Sequence, residues 1–123
     1  MIAFYIMELL QNKAIRSTSE LELQDGIAQV LQQAGVEFIR EARLSDSDRP
    51  DFMVGRVAIE VKTGGSKSAL CRQLMRYAAH QDVDEILVIT SRFALADLPQ
   101  VLNCRPVAVL VISGAFVGGV SRS

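Results

Sequence analysis

A surplus of positive charge is the first thing this chain lacks: 13 Lys and Arg stand against 14 Asp and Glu, for a net charge of −1. Domains that grip nucleic acid through its phosphates usually carry a basic excess. Any such affinity here must come from a local stripe, from metal, or from a partner chain. Cysteine is scarce too. Cys71 and Cys104 form no CxxC pair and the one histidine, His80, gives them no zinc spacing, which predicts two reduced thiols in a cytosolic protein. No secretory signal is read, because Met1–Met7 is apolar but lacks a basic n-region and is broken at Glu8. The apolar run from Val107 to Val120 is too short to span a bilayer and is interrupted by Gly114, Gly118 and Gly119. Internal repeats and low-complexity linkers are missing. What remains is a chain of 123 residues, half of them hydrophobic, which is one domain with a single core. It is expected in the cytoplasm with no membrane partner.

The most informative stretch runs from Pro50 to Lys62. Two apolar-rich runs flank Gly55-Arg56, and a Gly-X pair in that setting predicts a two-residue type II′ hairpin. Such a turn sets Val54 opposite Val57, Met53 opposite Ala58, Phe52 opposite Ile59 and Asp51 opposite Glu60. Phe52, Val54, Val57, Ile59 and Val61 then share a core face. Alternation puts Lys62 on the same face as Glu60, about 6.5–7 Å along the strand. The second face thus presents two carboxylates and an ammonium. Like charges directly opposed are destabilising unless a cation sits between them, and hard ions such as Mg²⁺ take oxygen ligands while keeping several waters. Lys62 is then placed to orient or deprotonate a water. The plainer alternative is a solvent-exposed hairpin with a scattered Glu-Lys pair.

Pro50-Asp51 followed by Glu60-Val61-Lys62 resembles the signature of the PD-(D/E)XK nuclease superfamily. The resemblance implies a restriction-endonuclease-like α/β core of order α-β-β-β-α-β, a mixed sheet flanked by helices. It implies a phosphodiesterase site in which Asp51 and Glu60, with the Val61 carbonyl as a third ligand, bind Mg²⁺ or Mn²⁺ and Lys62 serves the nucleophile. Gln73-Leu74-Met75-Arg76-Tyr77 resembles the Gln-x-x-x-Tyr motif of the RecB-like branch, where both residues help to position nucleic acid. The histidine that this branch carries upstream has no counterpart before Asp51. Small members of the superfamily are often phage, prophage or repair endonucleases, Holliday-junction resolvases among them, so a DNA substrate and a homodimer are expected. The rivals are an inactive DNA-binding or assembly module with the same fold, and a regulatory domain carrying a salt-bridge patch.

Elsewhere, Ser17-Thr18-Ser19 and Gly35 bracket a helix whose apolar face holds Leu23, Ile27, Val30, Leu31 and Ala34. Glu20 and Gln24 lie at the edge of that face. Ser17-x-x-Glu20 and Ser19-x-x-Glu22 both fit a capping box. Glu20 therefore either caps its own helix or, as in resolvase-like members that the Glu20-x-x-x-Gln24 pattern resembles, reaches with Gln24 towards Asp51 and Glu60. Val36 to Leu44 reads as a strand; Asp46 and Asp48 could bind metal but read better as solvated turn residues, since nothing in the pattern fixes their geometry. Thr63-Gly64-Gly65-Ser66 lacks Walker or dinucleotide spacing, so Ser66 reads as the N-cap of a helix from about Lys67 to Gln81. That helix buries Leu70, Cys71, Leu74 and Ala78. It carries Gln73 and Tyr77 at the border and a basic stripe of Arg72, Arg76 and His80 suited to phosphates. Glu85–Thr90 reads as a buried parallel strand, Val107–Ile112 as another buried strand, and Ala94–Asn103 as a short helix interrupted at Pro99. The nuclease core is placed at residues 17–90, with 1–16 and 91–123 peripheral.

Overall fold

The computed structural model describes residues 2–112; the glycine-rich segment after Ile112, read from sequence as structural or as a dimer surface, lies outside them. The fold is α/β. Six strands form a mixed sheet in the order β1 (Ile39–Arg40), β2 (Phe52–Val54), β3 (Val57–Lys62), β4 (Glu85–Thr90), β6 (Arg105–Val111), β5 (Val101–Leu102). β3, β4 and β6 run parallel; β1, β2 and β5 are antiparallel to their neighbours. Helices α1 (Ile2–Gln11) and α2 (Glu20–Gln33) cover one face, and α3 (Lys67–Ala78) covers the other. Among the described residues no helix is long and apolar enough to cross a membrane.

The hairpin forms in the register that Gly55-Arg56 predicts: Val54 pairs with Val57, Met53 with Ala58 and Phe52 with Ile59. Gly55 has φ +56° while Arg56 stays at negative φ, the pattern of a type II′ turn. Alternation then divides the two cores. Phe52, Val54, Val57, Ile59 and Val61 pack with α1 and α2, while Met53 and Ala58 pack under Leu70, Leu74 and Tyr77 of α3. The second face of the hairpin is therefore a core face as well, not the open surface expected. A parallel β3–α3–β4 unit needs a helix on the sheet, and this one lies over Glu60.

Four expectations are corrected. Residues 2–11, placed at the periphery, form a helix whose Ala3, Ile6 and Leu10 complete the core above β4 and β6. Its neighbour α2 accepts the connecting segment at Gly26, where an added Cβ would meet Ile15 Cγ2 at 2.6 Å. The strand expected over Val36–Leu44 is reduced to two residues, because Glu41 turns to φ +51° and the chain folds back on Asp48. Ala34 is exposed at the C-cap of α2 instead of joining its apolar face. The helix expected over Ala94–Asn103 is only a 3-10 turn, Phe93–Leu95, followed by a second hairpin, β5–β6.

That hairpin turns on Asn103 and Cys104, at φ +48° and +66°. Both central residues of a type I′ turn need positive φ, and Asn-Gly is the favoured pair. Cys104 is exposed, so its Cβ costs strain without a packing gain. Cys104→Gly is expected to raise stability by about 0.5–1 kcal/mol, the left-handed penalty less the extra freedom that glycine has in the unfolded chain. Urea unfolding checks this; an unchanged midpoint would mean the turn carries no strain.

Candidate functional site

The site gathers where β2 stops pairing with β3. Continuing the hairpin register would set Pro50 opposite Val61. The chain leaves instead, its Asp51 carbonyl accepting from the Glu41 N–H at 2.9 Å. The Asp51 side chain takes the vacated place: Oδ2 accepts from the Val61 N–H at 2.7 Å. Oδ1 accepts from Gln24 Nε2 at 3.0 Å. Asp51 is thus held by β3 and by α2, and it does not oppose Glu60 across a regular ladder.

Glu60 belongs to the α3 layer. It is 3% exposed, and its two oxygens go to different partners. Oε1 accepts from the Tyr77 hydroxyl at 2.8 Å, and Oε2 lies 3.4 Å from Lys62 Nζ. Gln73 Nε2 donates to the Tyr77 hydroxyl at 3.0 Å. Gln73, Tyr77 and Glu60 therefore form a chain, one helical turn on α3 delivering two side chains to one carboxylate. Tyr77, read as a contact for DNA at the border of α3, is buried at 1% exposure and its hydroxyl is spent on Glu60. Gln24, expected to reach towards Asp51, does so and is buried, its amide shared between Asp51 and Arg40, so it offers no surface to a nucleic acid.

Capping decides the role of Glu20. Ser19 is the N-cap of α2 and accepts from the Glu22 N–H, while Glu22 Oε1 reaches back to the Thr18 hydroxyl and N–H. With that task taken by Glu22, Glu20 is free, and its Oε1 accepts from the Thr63 N–H just beyond β3 at 3.3 Å. α2 thereby brings Glu20 and Gln24 to the same end of β3 as Asp51.

The helix α3 ends at Ala78, short of the expected Gln81. Of the basic stripe it keeps Arg72 and Arg76 while His80 falls in the turn beyond it, and most of the stripe is committed. Arg76 Nε meets Asp48 Oδ1 at 2.8 Å and His80 Nε2 meets Asp48 Oδ2 at 3.0 Å. Asp48 was read as a solvated turn residue; it is buried at 6% exposure and ties the 41–51 loop to α3. The His80 and Arg76 hydrogen bonds hold its carboxyl below the usual aspartate range. Arg72 stays exposed at the start of the stripe. Arg40 is the residue at this site that sequence reasoning missed and Asp48 the one it misassigned, and neither stands in a motif that could have flagged its role.

Burial pushes the Glu60 carboxyl up to about 7, helped by the Asp51 charge and opposed by Tyr77 and Lys62. Asp51 is raised in the same way, first by burial and then by the charge of Glu20, against the pull of the Val61 N–H. Tyr77 is raised by burial and by Glu60, so it stays a proton donor. The site therefore concentrates buried negative charge with one neighbouring ammonium. That is the environment a hard cation relieves, and the donors present are oxygens of the kind Mg²⁺ or Mn²⁺ accepts. Among the described residues no three His, Cys, Asp or Glu side chains converge on one point. Asp51 and Glu60 are the two carboxylates that could share an ion, its other positions being left to water or to the Val61 carbonyl. No family model, curated protein or solved structure matches the chain. Chemistry alone must carry the functional reading.

Proposed function

We propose that this domain is a metal-dependent nuclease of the PD-(D/E)XK type, hydrolysing DNA phosphodiester bonds. The observation that carries the reading is the meeting of Asp51, Glu60 and Lys62 at one end of β3, with Glu60 buried against Tyr77 of the Gln73-x-x-x-Tyr77 pair. The order α2-β1-β2-β3-α3-β4 agrees with the α-β-β-β-α-β core that this reading requires. A buried raised carboxylate in contact with a tyrosine and a lysine is also what functional sites tend to show.

Asp51 and Glu60 are the ligands for Mg²⁺ or Mn²⁺, which when bound supplies positive charge against the phosphoryl oxygens in the transition state. The protein's own groups do the positioning. Gln24 and the Val61 N–H fix the plane of the Asp51 carboxylate, Tyr77 fixes that of Glu60, and Lys62 Nζ holds the attacking water. Glu20 stands behind Asp51 on the Thr63 amide. Gln73, Arg72 and the free nitrogens of Arg76 line the approach and contact the DNA backbone. One near-neutral domain has little grip on a duplex, so the active form is proposed to be a homodimer acting on a phage, prophage or repair substrate.

The test is cleavage of labelled linear duplex, single strand, nicked circle and four-way junction in Mg²⁺ and in Mn²⁺. The expected result is cutting of at least one substrate that is abolished by EDTA and by Asp51→Ala. DNA binding without cutting in either metal would replace this reading with that of an assembly module. Neither binding nor cutting would leave only a regulatory domain.

A further inference from the structure

Arg40 sits outside every motif, yet it is the best-anchored cation near the site. Its Nη1 donates to Asp25 Oδ1 at 3.0 Å, its guanidinium carbon lies 5.5 Å from the centre of the Phe52 ring, and its Nη2 donates to Gln24 Oε1 at 3.3 Å. The ion pair with Asp25 is largely exposed, so it adds little to stability. The contact with Gln24 is different in kind. A side-chain amide has a donor end and an acceptor end, and the two are close in size. Gln24 is nine-tenths buried, with Asp51 at one end and Arg40 at the other.

Arginine can only donate. By donating to Gln24 Oε1 it keeps the oxygen end of the amide turned towards β1, which leaves the nitrogen end to face Asp51. Were the amide reversed, an oxygen would meet the Asp51 carboxylate and two nitrogens would confront each other at Arg40. We propose that Arg40 is a positioning residue, acting through Gln24 to hold the Asp51 carboxylate in the orientation the site uses. The inference rests on the metal-site reading for its consequence, but the amide orientation itself does not. Outer groups that orient ligating carboxylates commonly change metal affinity by about 10- to 100-fold when removed. β1 carries Arg40 to this position by pairing with β2, where Arg40 lies opposite Phe52, one residue from Asp51.

The experiment compares wild type, Arg40→Met, Arg40→Lys and Asp25→Asn. The first readout is exchange of the Gln24 side-chain amide protons with solvent, followed by nuclear magnetic resonance in metal-free protein. The second is the Mn²⁺ dissociation constant by titration calorimetry. Arg40→Met is expected to speed Gln24 amide exchange at least tenfold and to weaken Mn²⁺ binding about tenfold. Arg40→Lys, which keeps a donor, should recover most of both. Asp25→Asn removes the ion pair alone and should change neither. Equal Gln24 exchange in wild type and Arg40→Met would overturn the inference, as would equal loss in Asp25→Asn, which would mean Arg40 acts only through its ion pair. If the wild type binds no Mn²⁺ while Gln24 exchange responds as expected, the orienting role stands and the metal-site reading fails. Should Arg40→Met fold poorly, Arg40→Thr, which suits an exposed strand position and is too short to reach Gln24, is expected to show the same two losses, and wild-type values in it would overturn the inference.

Discussion

Glu60→Gln should make the metal-free protein more stable at pH 8, by about 2–3 kcal/mol, and should leave it nearly unchanged at pH 4.5. The carboxyl is raised from an ordinary 4.5 to about 7 in the folded state, chiefly by burial. Between those two values the folded chain holds a proton that the unfolded chain has released, so stability falls as pH rises through the window. Above it the folded state carries a buried charge, and a shift of this size corresponds to about 3 kcal/mol. Glutamine keeps the shape and removes the charge; its oxygen accepts from Lys62 and its nitrogen donates to the Tyr77 hydroxyl, whose own proton turns to Gln73 once that amide reverses. The carboxyls of Asp48 and Asp84 are lowered by His80 with Arg76 and by Arg56, respectively. Their contribution is present above the ordinary aspartate value and is lost as pH falls below it. The apo protein should therefore be most stable near pH 4–5, below the usual range of about 5–8. Urea unfolding across pH gives the answer. A wild-type curve that rises from pH 5 to pH 8 would show that Lys62 and Tyr77 outweigh the burial of Glu60. Added Mg²⁺ or Mn²⁺ should flatten the curve, since a ligand that needs the deprotonated carboxylates releases protons on binding.

Lys62→Met is expected to lower the cleavage rate by about 10²–10⁴-fold, the usual contribution of a positioned group that handles the nucleophile, while Mn²⁺ still binds. The ammonium lies 3.4 Å from Glu60 Oε2 with its side chain about one quarter exposed, 26% against 4% for Glu60. It can therefore touch both the buried carboxylate and a substrate outside. Methionine keeps the stem and loses only the charge. Because that charge also opposes the raised carboxyl of Glu60, the variant should lose stability at pH 8 and much less at pH 5. Single-turnover rates with the protein shown folded by circular dichroism separate the two effects. Unchanged cleavage in Lys62→Met would remove Lys62 from the mechanism. Cleavage lost together with Mn²⁺ binding would instead make its role one of holding the carboxylates.

Much of this arrangement is written locally in the chain. Gly55-Arg56 dictates a turn, the turn dictates register, and register with strand alternation places Glu60 and Lys62 on one side of β3. Gln73 and Tyr77 are one helical turn apart, so they must point together. What sequence could not supply was what lies opposite. Nothing in the local pattern says that α3 would seal the face carrying Glu60 and turn Tyr77 from a contact for a substrate into a buried donor. Asp48 looks like any acid in a serine-rich turn until Arg76 of α3 and His80 just beyond it, 28 and 32 residues away, close on it. The burial of the N-terminal helix could not be read, because it depends on β4 and β6 lying beneath it, strands that begin more than 70 residues later. Val36–Leu44 has strand-like composition, but a backbone reversal at Glu41, which needs no glycine, overrides it.

The Val61 N–H, held by the Asp51 side chain and by no neighbouring strand, has a consequence for how the molecule comes together. Apart from the Lys62–Glu60 ion pair, the other links at this end of β3 span long stretches of chain: Gln24 to Asp51 across 27 residues, Tyr77 to Glu60 across 17, Glu20 to Thr63 across 43. Closing loops of that length is favourable only once the helices have docked on both faces of the sheet. The Asp51–Val61 bond spans only 10 residues and can close with the hairpin, but the carboxylate is fixed at both oxygens only when α2 docks and delivers Gln24. Hydrogen exchange at this one amide then times the completion of the site apart from the completion of the sheet. An opening that displaces Asp51 while β3 stays paired to β4 releases the Val61 proton and leaves those of Ile86 to Ile89 protected.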